Sequence, residues 1–200
     1  MNTIDFSDIH GQESAKRAII VAAAGCHSIL LFGPSGHGKS MLAERTKLLY
    51  DSRPGGRPPA IILTRPALRH FPASLRSIEV HVEVPPVPFS TLVRRNNTDT
   101  ATIRKAVETA RFIQFKRQGK MNCSLTVPEL SAITLDAPSL ALAKQAYTEL
   151  ALTPRAYFII LRLARTIADL EGALKLEAQH VAEAVQYRLL DRLPEEETQP

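Results

Sequence analysis

The segment Gly33-Pro34-Ser35-Gly36-His37-Gly38-Lys39-Ser40 constrains this chain more than any other. It matches G-x-x-x-x-G-K-[ST] in full and lies between a short apolar run, residues 28–32, and a stretch with helical character, residues 39–50. Each part has a physical role. The glycines let successive backbone N–H groups curl around an anion. The start of the following helix adds partial positive charge. Lys39 is placed to reach β- and γ-phosphates, and the Ser40 hydroxyl to hold Mg²⁺. The motif therefore predicts a nucleotide site made of Gly33, Pro34, Ser35, Gly36, His37, Gly38, Lys39 and Ser40. The expected ligands are ATP and Mg²⁺, with Ser40 on the metal.

The surrounding pattern predicts an α/β class. Residues 12–24 carry Ala15, Ala18, Ile19 and Ala22 at helical spacing, and Gly25 is expected to close that helix in a left-handed conformation. Residues 61–64 read as a second short strand. Residues 78–84, IEVHVEV, alternate at period two and predict a half-buried strand with Glu79 and Glu83 on its solvated face. Pro85, Pro86 and Pro88 end it. Between the strands, residues 52–59 hold two Gly and three Pro and predict a break. From about Thr98 the pattern turns helical. Ile103, Ala106, Val107 and Ala110 mark one helix, and Leu140, Ala143, Tyr147 and Leu150 another. Thr153-Pro154 provides an N-cap and first-turn pair for a third, striped by Ala156, Ile160, Leu163, Ala164 and Ile167. Ala178, Val181, Ala182, Val185 and Leu189 predict a last one. The expected organisation is a truncated P-loop α/β core over residues 1–90, an all-helical part over 95–192 and a disordered tail over 193–200.

Charge and cysteine usage narrow the partners. The formal net charge is +5, and without the tail acids Glu195, Glu196 and Glu197 it would be +8. Arg94, Arg95, Arg104, Lys105, Arg111, Lys116, Arg117 and Lys120 face only Asp99 and Glu108 in their own segment. That cluster predicts either a nucleic-acid backbone contact or a solvated helix face. No run reaches the about 18 apolar residues of a membrane span, so no membrane role is expected. The first ten residues have no basic leader pattern, and Cys26 and Cys123 cannot build a disulfide framework, which favours a cytoplasmic setting. The six histidines show no metal-ligand spacing.

Hydrolysis demands more than the loop. An acid at the end of a second apolar strand should hold Mg²⁺ and order the attacking water. Ile61-Ile62-Leu63 is followed by Thr64 and Arg65, without an acid. The best match, Leu48-Leu49-Tyr50-Asp51, ends the helix after the loop and points the wrong way. Arg155 stands out differently: a cation in a first helical turn opposes the local dipole, which marks it as a functional candidate.

Five segments carry a family resemblance. GQESAKRAIIVAAAGCHSILLFGPSGHGKSMLAER resembles the opening helix, strand and P-loop of the Mg-chelatase-like AAA+ ATPases, in the branch related to the competence branch-migration helicase. SIEVHVEVPPV resembles the strand beyond that family's arginine-finger region. RQGKMNCSLTVPEL, LTPRAYFIILRLARTIADLEG and AEAVQYRLLDR resemble its helical lid. The resemblance implies a nucleotide held between an α/β core and a lid, assembly into rings and action on DNA. It places Arg155 at the sensor-2 arginine, which reaches the phosphates from the lid. It also marks departures. The stretch that carries the Walker B acid and the sensor-1 residue is missing, the finger motif L-D-R reads Leu75-Arg76-Ser77, and the second lid arginine is Ile159.

The leading expectation is a shortened relative that binds ATP and has lost hydrolysis. The alternatives are an active ATPase or DNA branch-migration motor subunit, or a basic helical module that binds DNA or a full-length relative. Expected partners are nucleotide, DNA, and a homo- or hetero-oligomeric ring.

Overall fold

The computed structural model describes residues 5–50, 60–64, 75, 77–93 and 99–192. The break at 52–59, Asp51, Arg76, Arg94, Arg95 and the tail from 193 lie outside the described residues. The chain forms a mixed α/β structure with a small parallel sheet and many helices.

Three strands, β1 (Ile29–Phe32), β2 (Ile61–Thr64) and β3 (Val80–Glu83), pair in parallel with β1 in the middle. Ile29 lies opposite Ile61 and Val80, and Phe32 opposite Thr64 and Glu83, so the strands end level. Parallel strands are covered on both faces and read as continuous apolar runs. β1 obeys this. Ile29 and Leu31 join the main core, while Leu30 and Phe32 pack with Ile78 and Leu190 behind the sheet.

α1 (Glu13–Gly25) is the centre of the molecule. It touches α2 (Lys39–Tyr50), α4 (Thr100–Gln118), α7 (Pro154–Leu170), β1 and β3. Its small residues, Ala15, Ala18 and Ala22 to Ala24, are all buried, which lets neighbours approach closely on several sides. One apolar cluster therefore runs from Phe6, Ile29, Leu42 and Val80 through α1 to Ile103, Val107, Leu163, Ile167 and Val181. α6 (Ala137–Glu149) and α8 (Ala178–Gln186) close the helical side, with the short α3 (Phe89–Leu92) and α5 (Val127–Ser131) as connectors.

α7 starts where Thr153-Pro154 predicts, with the Thr153 hydroxyl accepting from the Ala156 N–H at 3.2 Å. The α1 terminus differs from expectation. Gly25 remains helical, and Cys26 takes the left-handed conformation, with φ 59°. Gly25 is needed for space instead. A Cβ there would lie 2.1 Å from the His27 ring and 2.6 Å from the Thr166 hydroxyl.

β3 also differs. Val80, His81 and Val82 are all buried and Glu83 is exposed as expected, so the alternating pattern holds for Glu83 and fails for Glu79. The His81 N–H donates to the Tyr187 carbonyl at 2.8 Å, and the chain after α8 covers this edge. Glu79 is mostly buried. It accepts from His27 Nδ1 at 3.1 Å and lies 3.6 Å from Arg162. Burial raises its carboxyl pKa, but His27, Arg162 and the Ser28 N–H outweigh that and hold it below the usual carboxylate range.

Candidate functional site

The phosphate loop leaves the C-terminal end of β1, where parallel sheets place their ligands. Its three glycines serve two purposes. Gly33, with φ 143°, passes so close to β3 that a Cβ would sit 2.4 Å from the Val84 carbonyl oxygen. Gly36 and Gly38, with φ 80° and 89°, face open space, where a Cβ would meet nothing within 4 Å. Both line the cleft that opens at Lys39 and Ser40. The Leu42 N–H then bonds the Gly38 carbonyl at 2.9 Å and starts α2.

Lys39 is the first residue of α2 and folds back over the loop. Its ammonium donates to the carbonyls of Gly33 at 2.8 Å and Pro34 at 2.6 Å. Ser40 follows, exposed, as are Pro34 and Ser35. A cleft of about 460 Å³ opens here, lined by Ser35, Gly36, Lys39, Ser40 and, from β2, Leu63 and Thr64. No carboxylate lines it among the described residues.

A second cavity of about 260 Å³ shares Gly36, Gly38 and Met41 with the first. Its other walls are Ile9, Leu42, Val87 and Leu92, with Asp8, His10, Gln12 and His37 as polar members. Sequence reasoning missed this wall. It exists because Gln12, at φ 58°, ties the segment after β3 to the start of α1 by donating from Nε2 to the Pro85 carbonyl at 2.7 Å. Gly11, with φ 67°, lets α3 close in, since a Cβ would meet Thr91 at 2.8 Å. The prolines at 85, 86 and 88 signal only where the strand ends. The Asp8 carboxylate accepts from Arg45 at 2.9 Å.

The residues grouped by the motif therefore come together, whereas Arg155 does not join them. It is exposed in the first turn of α7, and no described residue after Val93 lines either cavity. On the same helix, Arg162 meets Glu79, just before β3, and the Thr166 hydroxyl meets His27 Nε2 at 2.9 Å, just before β1. The far end of α7 turns toward the start of α1, where Glu171 lies 3.3 Å from Arg17. Arg155 is thus at the end of α7 that points away from its own loop. Glu83, at the end of β3, opens on a separate cleft with Ser14, Gln186 and Tyr187.

The basic segment is largely consumed by packing. Arg111 is buried and donates to the Ala23 carbonyl at 2.8 Å and the Leu49 carbonyl at 3.0 Å, the last turns of α1 and α2. A cation is favourable at two helix C-termini at once. Arg104 bonds the Leu48 carbonyl at 3.2 Å. Arg117 pairs with the buried Asp169, which also accepts from Arg165 Nε at 3.1 Å, four residues earlier on the same helix. Lys120 pairs with Glu129 at 2.7 Å. Lys105, Lys116, Phe112 and Phe115 remain exposed.

Among the described residues, no helix is long and apolar enough to cross a membrane, and no group of three or more His, Cys, Asp or Glu could hold a metal ion. A further cavity of about 530 Å³ lies between the starts of α6 and α8 near Asp136 and Lys175, away from the loop.

Comparison with known proteins agrees with the motif. Residues 5–53 match the family described as magnesium chelatase, subunit ChlI, and residues 97–188 match magnesium chelatase, subunit ChlI C-terminal. The chain is 26% identical to competence protein ComM of Haemophilus influenzae, over 96% of this chain and 61% of ComM. It is 36% identical to the uncharacterized protein YifB of Escherichia coli over 66% of this chain and 25% of YifB. An uncharacterized protein of Mycobacterium tuberculosis shares 49% identity over 51 residues, 26% of this chain and 10% of that protein. The chain thus spans less than two thirds of these relatives. The ComM alignment runs over 312 positions, although 96% of 200 residues is about 192, so about 120 positions have no counterpart here. Residues 54–96 fall between the two family matches. The chain belongs to the Mg-chelatase-like AAA+ family, as a member shortened between the two segments that define it.

Proposed function

We propose that this chain binds ATP with Mg²⁺ at residues 33–40 and does not hydrolyse it unaided. The observation that carries the reading is the loop geometry. Gly36 and Gly38 hold positive φ and line the cleft together with Lys39 and Ser40. Backbone N–H groups and the α2 terminus would cradle the phosphates, Lys39 would turn to the β- and γ-phosphates, and Ser40 would bind Mg²⁺. The magnesium would neutralise charge on the phosphates. Family membership suggests the same ligands. The second cavity would take the nucleoside.

The loss of hydrolysis rests on the phosphate-side cleft, which has no carboxylate among its described lining residues. Between Tyr50 and Glu79 the sequence offers a single acid, Asp51. A water beside the γ-phosphate would have no base to order it. A two-part test settles the reading. Mg·ATP should bind by calorimetry, and phosphate release by the wild type should equal that of Lys39→Ala. Lack of binding overturns the first part. A Lys39-dependent rate near one per second overturns the second.

Arg155 would act only between subunits. It is exposed, turned away from its own loop, and without a described partner. In a homo- or hetero-oligomeric ring it would meet the phosphates of a neighbour. The packing of Arg104, Arg111, Arg117 and Lys120 leaves a DNA role to Lys105, Lys116 and the residues outside those described.

A further inference from the structure

Leu174 is 97% exposed, more than any other large apolar residue among those described. It sits in the turn between α7 and α8, and that turn is held firmly. Gly172 takes the left-handed conformation, with φ 69°, and the Ala173 N–H bonds the Ala168 carbonyl at 2.8 Å. The buried Arg165 then donates to the carbonyls of Ala173 at 2.5 Å and Leu174 at 3.2 Å, while its Nε bonds Asp169. The backbone of Leu174 is therefore fixed, and its side chain adds nothing to the core of its own chain. Single exposed leucines are common. One fixed in place beside a cleft is different, because its backbone needs no further ordering to be buried against a partner.

The cleft begins one residue later. The parallel bridge between Leu135 and Leu176 sets the starts of α6 and α8 side by side. They enclose about 530 Å³, with the buried Leu176 and the half-buried Ala178 among the lining residues and Asp136, Lys175, Glu177 and Gln179 exposed around it. Leu140, one turn into α6, is 54% exposed, although its spacing predicts a core position.

Projection and cleft thus belong to one short stretch of chain, and such a surface complements itself. A second copy related by a half-turn sets each Leu174 against the other's cleft. The charges agree with this, since one cation, Lys175, lies beside two acids, Asp136 and Glu177.

We propose that this face joins two copies of the chain in a two-fold dimer. Leu174 of each copy enters the cleft of the other, and Lys175 pairs with Asp136 or Glu177 across the axis. The contact does not involve nucleotide. It closes at two subunits, unlike the head-to-tail contact of a ring. A patch of this size makes a weak, reversible contact.

The experiment is sedimentation equilibrium of the whole chain without nucleotide, from micromolar to millimolar concentration. The wild type should show a monomer–dimer equilibrium that added salt weakens. Leu174→Asp should weaken it by about tenfold, as loss of a central apolar anchor does, and leave the thermal midpoint unchanged. Lys175→Glu should weaken it too, because like charges would then face each other. Phe112→Asp changes an exposed apolar side chain on α4 and should leave it unaltered. Should Leu174→Asp melt early, Lys175→Glu decides alone. A wild type that stays monomeric throughout overturns the inference. So does association that Leu174→Asp leaves intact, that Phe112→Asp weakens equally, or that runs past the dimer.

Discussion

The ammonium of Lys39 donates to the carbonyl of Gly33 at 2.8 Å, so the residue meant for phosphate satisfies the loop that carries it. A nucleotide must exchange this contact for phosphate oxygens. Mg·ATP at about 100 times its Kd should stabilise the wild type by about 2.7 kcal/mol. Lys39→Ala should lose most of that shift. Thermal unfolding with and without Mg·ATP measures both.

Turnover should stay at background. An arginine finger supplied in trans contributes about 10³–10⁵ in rate, and Ser77 stands at the expected position. With no acid in the cleft as well, phosphate release should fall far below the about 1–10³ per second of ordinary enzymes, with or without DNA. Steady-state phosphate assays on wild type and Lys39→Ala provide the check.

Glu79 should set part of the acid limit of stability. Its folded-state pKa is depressed: burial acts to raise it, and His27, Arg162 and the Ser28 N–H overcome burial. A depressed carboxyl stabilises the fold fully above its unfolded value near 4.5 and loses that contribution as pH falls through the lower folded value. Glu79→Gln should cost about 1–3 kcal/mol at pH 7 and flatten the acid limb. Urea unfolding across pH 2 to 7 would show it.

Arg111 should behave as a structural residue. Its guanidinium bridges the ends of α1 and α2, so Arg111→Ala strands two carbonyls and opens space beside Val107 and Ala110. We expect a loss of about 2–4 kcal/mol in chemical unfolding. A variant as stable as wild type, but with a weaker salt dependence of DNA binding, would instead make Arg111 a phosphate contact.

The sequence was most legible where one rule dominates. The bounds of α2 and β2 match expectation because the loop and the apolar run leave little choice. The start of α7 was legible because Thr153 and Pro154 act locally. Glu79 was misread. Period-two alternation predicts a wet face, but the helices α7 and α8 and the chain beyond cover β3 from outside, and no local pattern encodes that. The packing of Arg104, Arg111 and Arg117 was not legible for the same reason, since their carbonyl and carboxylate partners lie far away in sequence. Of the loop residues that the motif marks, Ser35 to Ser40 line the two cavities and Gly33 and Pro34 line neither. The wall made by Ile9, Val87 and Leu92 depends on Gln12 meeting Pro85 across 73 positions. Arg155 is a matter of orientation: its helix was legible, but the direction in which the helix lies was not.

The burial of α1 on so many sides has a thermodynamic meaning. The helix that backs the nucleotide loop is also the one on which α4 and α7 rest. Energy gained at residues 33–40 is therefore shared with residues 100–170 through one contiguous cluster, so loop and helices should open together in a single cooperative transition. A ligand held at the front of the sheet would slow hydrogen exchange in α7, on the far side of α1, by the same free-energy increment as in β1.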